Sequence, residues 1–358
     1  MAKIIHLADL HIGTKLDFLP QNKQETYQNT VFSELEAVVF RANNEKCDAL
    51  LISGDLFDTP DISGEIVSRT FSVLAKVLCP VLISPGNHDY YYPQSPYTRF
   101  AIPVNIHVFD NRQLSAFPLE DGETVIYGAA FQDMSAQIPL VADLDRKKVN
   151  ICCVHGDIGG DSGYNPVSVE QLTQSGFDYI ALGHNHTFDG IKVVNSTVFA
   201  CTGAFCATNK TEIGEKGYLF GEITKEKPSL KFIKTDVPTI SRIDIDISDI
   251  SNDNQLVELA SNLIGKNTEN ICAFATVFGK KQNNLNFKAL KNILDERFFY
   301  CIFADETLVS TDIWEKIDED GLVGEALRVF KNDYDKADSA EREKISRAVK
   351  FTLEALEV

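Results

Sequence analysis

The feature that most constrains this chain is a series of five short polar motifs, each placed directly behind a short apolar run. Asp9-Leu10-His11 follows IIHLA, and Gly54-Asp55-Leu56-Phe57-Asp58 follows ALLIS. Gly86-Asn87-His88-Asp89 follows VLISP, His155-Gly156-Asp157 follows NICCV, and Gly183-His184-Asn185-His186 follows YIAL. The runs, at 3–8, 48–53, 81–84, 149–155 and 179–182, are apolar without alternation. That is how strands read when both faces are buried. Helical patterns over 23–43 and 62–77 separate the first three. From about 189 to 235 the pattern is all strand, at 191–194, 197–201, 217–223 and 230–233. A layered α/β (α+β) fold is expected, as a mixed sheet or a two-sheet sandwich with helices outside.

Carboxyl ends of strands are where ligands collect, because loops converge there on a rigid frame. Five of the seven histidines (His11, His88, His155, His184 and His186) fall in these motifs. Carboxylate, imidazole and amide oxygen together suit divalent manganese, zinc or iron. A shared carboxylate can hold two such ions about 3.5–4 Å apart. The motif residues suffice for two metal sites without cysteine. His6 and His107 stand apart and read as structural. The glycines before Asp55, Asn87 and His184 are expected to take backbone conformations closed to other residues.

The character changes near Val237-Pro238. Strand, helix, strand, helix and strand patterns follow at 240–247, 254–263, 271–278, 287–295 and 298–305, a small α/β domain. The remainder reads as helical, with breaks at Gly321 and Asp338-Ser339 and an apolar stripe of Ile345, Val349, Leu353 and Leu356. The expected division is 1–237, 238–310 and 311–358.

Eight cysteines occur with no C-x-x-C pair, most of them in or beside strand-like runs, as small buried hydrophobes do. No apolar run is long enough to span a bilayer, and the start MAKIIHLADLH has no signal-peptide pattern. A reduced, cytoplasmic protein is expected. The net charge of −18, from 34 basic and 52 acidic residues, argues against a broad basic nucleic-acid surface. It leaves room for a nuclease, because bound divalent cations reverse the local charge.

The series D-x-H, G-D-x-x-D, G-N-H-D, H and G-H-x-H resembles the calcineurin-like metallophosphoesterase superfamily, from residue 3 to about 235. Within it the chain looks most like SbcD and the Mre nuclease subunits of DNA repair. Asp9-Leu10-His11-Ile12-Gly13, the run from Gly54 to Thr59, the run from Asp178 to His184, Thr202-Gly203 and the stretch Gly214 to Gly217 carry that likeness. The surroundings of Gly156 and Tyr164-Asn165-Pro166 are similar to the bacterial branch called YhaO. The resemblance implies a metallophosphoesterase β-sandwich flanked by helices, with a small C-terminal α/β cap domain and terminal helices. By position it places Asp9, His11, Asp55 and His186 on a first metal. Asp55, Asn87, His155 and His184 fall on a second, with Asp55 bridging. It implies that the metals generate hydroxide near neutral pH for attack on phosphorus. His88 then stabilises developing charge or protonates the leaving oxygen. Asp58 is expected to orient His88 through a hydrogen bond. Asp58 stands where archaeal and eukaryotic Mre subunits carry histidine and SbcD-type proteins carry aspartate.

The substrate implied is DNA, cut by an exonuclease/endonuclease subunit with manganese, working with an SbcC-like coiled-coil ATPase. The cap is expected to select DNA shape. Lys280, Lys281, Lys288 and Lys291 either face phosphates or form a solvated surface. Tyr90-Tyr91-Tyr92 either stacks on an unpaired base or packs on its own domain. The final helix stripe either grips the ATPase or docks at home. A homodimer through 62–77 and 96–101 is a further expectation. Two other function classes stand beside the nuclease: a metallophosphoesterase acting on nucleotides or other small phosphoesters, which the negative charge favours, and a non-catalytic scaffold, against which the full ligand set speaks.

Overall fold

A computed structural model describes residues 1–159, 164–226, 228–266, 268–281, 285–309 and 311–356. The chain divides into two compact units, Met1–Thr239 and Ile240–Val358.

The first unit is built on two six-stranded sheets. One orders Ser229–Lys234, Gly217–Ile223, Ala2–Leu7, Ala49–Ile52, Val81–Ile83 and Ile106–Val108. Its last four strands run parallel, and the first two join antiparallel. The other orders Lys192–Val194, Thr197–Cys201, Tyr179–Gly183, Val149–His155, Thr124–Gly128 and Ser115–Pro118. Its inner four strands are parallel, with antiparallel strands at both edges.

The alternation of side chains along each strand explains why the runs are apolar throughout. Ile151 and Cys153 meet Ile4, Leu51, Leu82, Tyr179 and Ala181 in the core between the sheets. Cys152 and Val154, their neighbours in sequence, face the other way with Ile180 and Leu182, against Phe131, Ile138, Leu172 and Phe177. Each strand therefore buries two faces, which an alternating pattern could not supply. Helices Gln21–Asn44 and Gly64–Leu74 supply buried faces such as Tyr27, Leu35 and Val38, and Val67, Phe71 and Leu74. In the first unit, strands Ile106–Val108, Ser115–Pro118 and Thr124–Gly128 and the two-residue pair Asp157–Ile158 and Pro166–Val167 are additions to the sequence-based expectation.

The second unit holds a sheet of Thr239–Asp246, Ile271–Phe278 and Tyr300–Asp305, the last two parallel. Helices Asp253–Leu263 and Lys288–Arg297 bury Leu256, Ala260, Leu290 and Leu294 in its core. Helices Leu322–Lys336 and Ser339–Ala355 follow a 3-10 turn at Thr311–Asp318. Ile345, Val349 and Leu353 of the final stripe pack within this unit on Ile313 and Leu327, so much of the stripe is used at home. Residues 357–358 of the expected helical segment lie outside the described residues. All eight cysteines are buried, and none forms a disulfide.

Candidate metal centre

The five motifs converge because their loops leave neighbouring strands and then bond to one another. Asp9 N–H donates to Gly54 O (3.1 Å), His11 N–H to Asp55 O (3.0 Å) and Ile12 N–H to Leu56 O (2.9 Å). His184 N–H donates to both carboxylate oxygens of Asp9, at 3.0 Å each. Asp9, His11, Asp55 and His184 adopt left-handed φ values of 48°, 42°, 51° and 90°. They are four of seven such non-glycine residues among the described ones. Each left-handed residue costs energy that surrounding structure must over-determine, and such residues cluster at functional sites. Gly54 shares the left-handed conformation, at φ +97°. Gly86 and Gly183 serve for space instead: a Cβ on them would lie 2.2 Å from Asp55 Oδ1 and 2.1 Å from Ser53 O.

The side chains form overlapping clusters of Asp9, His11 and His186; Asp9, Asp55 and His155; and His11, Asp58 and His88. Asp9, Asp55 and His155 are fully or almost fully buried. Asp55 Oδ2 lies 3.7 Å from His11 Nε2 and 3.4 Å from His155 Nε2, between the two imidazoles. Asn87 Oδ1 lies 3.0 Å from His155 Nε2. The His184 ring enters none of the three clusters and sits edge-on to His155, with centroids 5.2 Å apart.

The outer nitrogens of three histidines are committed to acceptors, which fixes where their lone pairs point. His11 Nδ1 meets the Asp58 carboxylate at 3.1 Å, His155 Nδ1 the Ser53 carbonyl at 3.0 Å, and His186 Nδ1 the Glu212 carboxylate at 2.7 Å. Each Nδ1 therefore carries the hydrogen, and each Nε2 turns inward. Inside, His11 Nε2 and His186 Nε2 face one another at 3.1 Å, and His155 Nε2 faces carboxylate and amide oxygens. Lone pairs so opposed repel unless positive charge lies among them. Among the described residues, Asp9 and Asp55 have only histidines as ion-pair partners. The donor set thus fits divalent cations, and His11, His155, His186, Asp9, Asp55 and Asn87 offer inward-facing ligand atoms.

The same electrostatics appear in the protonation equilibria. Burial alone would lower the His11 pKa, but the Asp58 hydrogen bond and the charges of Asp55 and Asp9 raise it to about 9. Burial would raise Asp55, yet His155, His11 and His88 bring it below the ordinary carboxylate range. His184 is lowered by burial and then by His155.

Asp58 reaches two of these histidines, by different atoms. His88 Nδ1 donates to the main-chain carbonyl of Asp58 at 2.9 Å, while the Asp58 carboxylate turns to His11. Asp58 thus touches His88 through its backbone rather than its side chain. His88 itself is exposed, its N–H donates to Asp55 Oδ1 (2.9 Å), and its ring lies edge-on to His11 at 4.6 Å.

Asp89, Glu212, Asn165 and Ser53 also build the site, although sequence reasoning assigned them no role. Asp89 is fully buried and accepts from Gly86 N–H (2.8 Å), Phe57 N–H (3.2 Å) and the Tyr97 hydroxyl, fixing the Asn87-His88 turn. Burial and the charge of Asp55 push its pKa up. Asn165 Nδ2 donates to His155 O at 2.7 Å. The place of Asp89 inside a motif was an available signal; Glu212 had none.

His6 is structural: it is buried between the Tyr179 hydroxyl (2.8 Å) and Ser53 Oγ (2.7 Å), and burial lowers its pKa to about 3. His107 is half-buried beside Phe109 and Phe117. Tyr90 packs on the core outside the second sheet, with the Tyr92 ring 5.1 Å away. Three of the four lysines, Lys281, Lys288 and Lys291, share a groove in the second unit with Phe287 and Phe303. Lys280 lines a different one.

The calcineurin-like phosphoesterase family model matches residues 2–188. The chain is 26% identical over 332 residues to the uncharacterized metallophosphoesterase YhaO of Bacillus subtilis, covering 87% of this chain and 79% of that one. It is 24% identical over 336 residues to the DNA double-strand break repair protein Mre11 of Saccharolobus solfataricus, covering 87% and 84%. To the SbcD component of the SbcCD nuclease of Staphylococcus epidermidis it is 24% identical over 256 residues, covering 60% and 64%. With the inward-facing ligand set and this match in hand, the chain belongs to the calcineurin-like phosphoesterase family and is a metal-dependent phosphoesterase.

Proposed function

We propose that the chain hydrolyses DNA phosphodiesters as an exonuclease/endonuclease subunit in DNA repair, with manganese at two sites. The observation that carries the chemistry is the set of buried carboxylates and inward-facing imidazole nitrogens with an exposed histidine at its rim. DNA as substrate draws support from the names of two relatives, a break-repair protein and a nuclease component.

Asp9, His11, Asp55 and His186 would hold one ion, and Asp55, Asn87, His155 and His184 the other. When bound, two such cations supply charge that neutralises phosphate oxygens and acidify water for attack on phosphorus. The protein's own contribution at the rim is His88. Its Nδ1–H is held by the Asp58 carbonyl, so Nε2 is the nitrogen free to act. Protonated there, it stabilises charge on the phosphoryl oxygens or passes its proton to the leaving oxygen. The Asp55 hydrogen bond to His88 N–H ties the rim to the metal ligands. The groove of Lys281, Lys288 and Lys291 offers cationic contact to a phosphate backbone, and its phenylalanines offer stacking. An SbcC-like coiled-coil ATPase is the proposed partner. A homodimer would use the face lined by Ser68, Phe71, Ser72, Phe100 and Pro103. Eight buried cysteines with no disulfide suit a reducing cytoplasm, and no described helix is long and apolar enough to cross a membrane.

A second reading, hydrolysis of nucleotides or other small phosphoesters, is favoured by the net charge of −18. The deciding experiment digests linear duplex, single-stranded and hairpin DNA with manganese or magnesium, beside His88→Ala. DNA cleavage with manganese, lost in the variant, is expected. Brisk turnover of nucleotide esters with every form of DNA untouched would transfer the assignment to the second reading.

A further inference from the structure

We infer that Glu212 is the positioning residue of His186, setting its tautomer and aim, so that one of the two metal sites depends on Glu212 and the other does not. The inference rests on the ligand reading above, though not on DNA as substrate. Glu212 lies 26 residues beyond His186 in sequence and outside the matched family region.

The geometry is that of a backing group rather than a ligand. Glu212 Oε1 lies 2.7 Å from His186 Nδ1, on the side of the ring away from His11. A carboxylate accepting the Nδ1–H leaves Nε2 with its lone pair facing Asp9 and His11, and its negative charge makes that nitrogen a better donor to a cation. Without it, the neutral imidazole is free to carry its hydrogen on Nε2, where it blocks coordination.

Glu212 is itself fixed from several directions. Thr208 N–H donates to Oε2 (3.1 Å), and Asn209 Nδ2 (2.7 Å) and the Thr208 hydroxyl donate to Oε1. Lys216, only 3% exposed at its side chain, lies 3.5 Å from Oε2 and also donates to the His186 carbonyl at 3.3 Å. A buried ammonium is costly unless paired. Lys216 therefore pairs with the carboxylate and clamps both ends of the contact, His186 backbone and Glu212 side chain.

The two proposed sites differ in this respect. Both imidazoles of the first are backed by carboxylates, His11 by Asp58 and His186 by Glu212. His155 of the second is backed by a neutral carbonyl, Ser53 O. Loss of Glu212 should thus act on one ion.

The test titrates manganese into metal-free protein and reads affinity and stoichiometry, by calorimetry and by metal content after desalting. Wild type, Glu212→Ala, Glu212→Gln, Thr211→Ala and His186→Ala are compared. Glu212→Ala is expected to weaken one of two ions by about 10–100-fold and leave the other near wild type. Glu212→Gln, which keeps the shape and an acceptor oxygen but no charge, should fall between. Thr211→Ala removes a loop contact, its hydroxyl bond to Asn209 Oδ1, without touching Glu212 or the imidazole, and should retain both ions. That separates positioning from loop anchoring. If Glu212→Ala unfolds, the near-isosteric Gln variant decides. Wild-type affinity at both ions in the Glu212 variants, with one ion lost in His186→Ala, would overturn this inference alone. Both ions retained in His186→Ala would overturn the ligand reading with it.

Discussion

Substituting Gly86 by alanine tests whether the closeness of the site's loops matters to its chemistry. The added Cβ would fall 2.2 Å from Asp55 Oδ1, 2.8 Å from Asp55 N and 2.9 Å from its Cγ. Ordinary contact is about 3.5 Å, so something must yield by about 1 Å. The carboxylate cannot simply swing away, because Oδ1 holds His88 N–H and Oδ2 lies between His11 and His155. The Asp55 nitrogen is main chain and moves only with its loop. A misplacement of about 1 Å can cost about 100-fold in rate, roughly 2.7 kcal/mol in the barrier. Overpacking costs a further 1–3 kcal/mol or so of stability. The assay is kcat/KM on bis-p-nitrophenyl phosphate at saturating manganese, with thermal unfolding as the check on folding. Gly122→Ala is the control: its Cβ meets nothing within 4 Å, and its left-handed φ of +67° introduces backbone strain without touching the site. A folded Gly86→Ala protein with turnover within a factor of a few of wild type would refute the reasoning.

Asp58→Ala should weaken metal binding by about 10–100-fold, since its carboxylate backs His11; an unchanged manganese titration would return Asp58 to a role on His88 alone. Removing metal with a chelator should abolish hydrolysis and lower the melting temperature, because metal at 100 times its Kd stabilises the fold by about 2.7 kcal/mol; identical melting curves with and without metal would contradict the buried-carboxylate argument. In the second unit, burial would raise the Asp305 pKa, but Lys350 and Thr307 bring it below the ordinary range. Its stabilising contribution is then complete above the unfolded value, about 3.9, and is lost as pH falls through the folded value. Lys350→Met should lower the urea midpoint at neutral pH, and the difference from wild type should shrink below about pH 4; a difference that grows on acidification would give the sign the other way.

The positions of the ligand-bearing strands were legible because each is buried on both faces and ends in a polar motif. Val149–His155 appears in the structure with the bounds read from the sequence. Thr124–Gly128 is equally buried but was not read, because its one short run, TVIYG, opens and closes on residues that also signal turns. Ser115–Pro118 is an edge strand, largely exposed, and the pattern of a buried strand does not apply to it. The side-chain contacts were less legible than the strands. Asp58 in G-D-x-x-D gives no sign whether its carboxylate or its carbonyl reaches His88, since both leave the same residue. Glu212 is invisible for a different reason: it meets His186 only because the loop after Thr197–Cys201 folds back. No local pattern encodes a contact across 26 residues that include two strands and the loop beyond them.

What the sequence pattern cannot express is the cost of the arrangement. Four left-handed residues at about 1–3 kcal/mol each, two buried carboxylates and opposed imidazole lone pairs all fall within one set of loops. Elsewhere in the first unit the strands match apolar faces across both sheets. Violations of local preference concentrated in one place mark a site maintained against stability, not one produced by it. The parallel strands make this tolerable. Their hydrogen-bonded frame fixes the start of each loop, and the bonds from Asp9 to Gly54 and from His184 to Asp9 lock the loops to each other. The strain is therefore shared by a closed set of contacts and cannot relax at one residue without moving its neighbours. The site consequently meets an incoming cation already formed, and the free energy of binding need not be spent on folding the ligands into place.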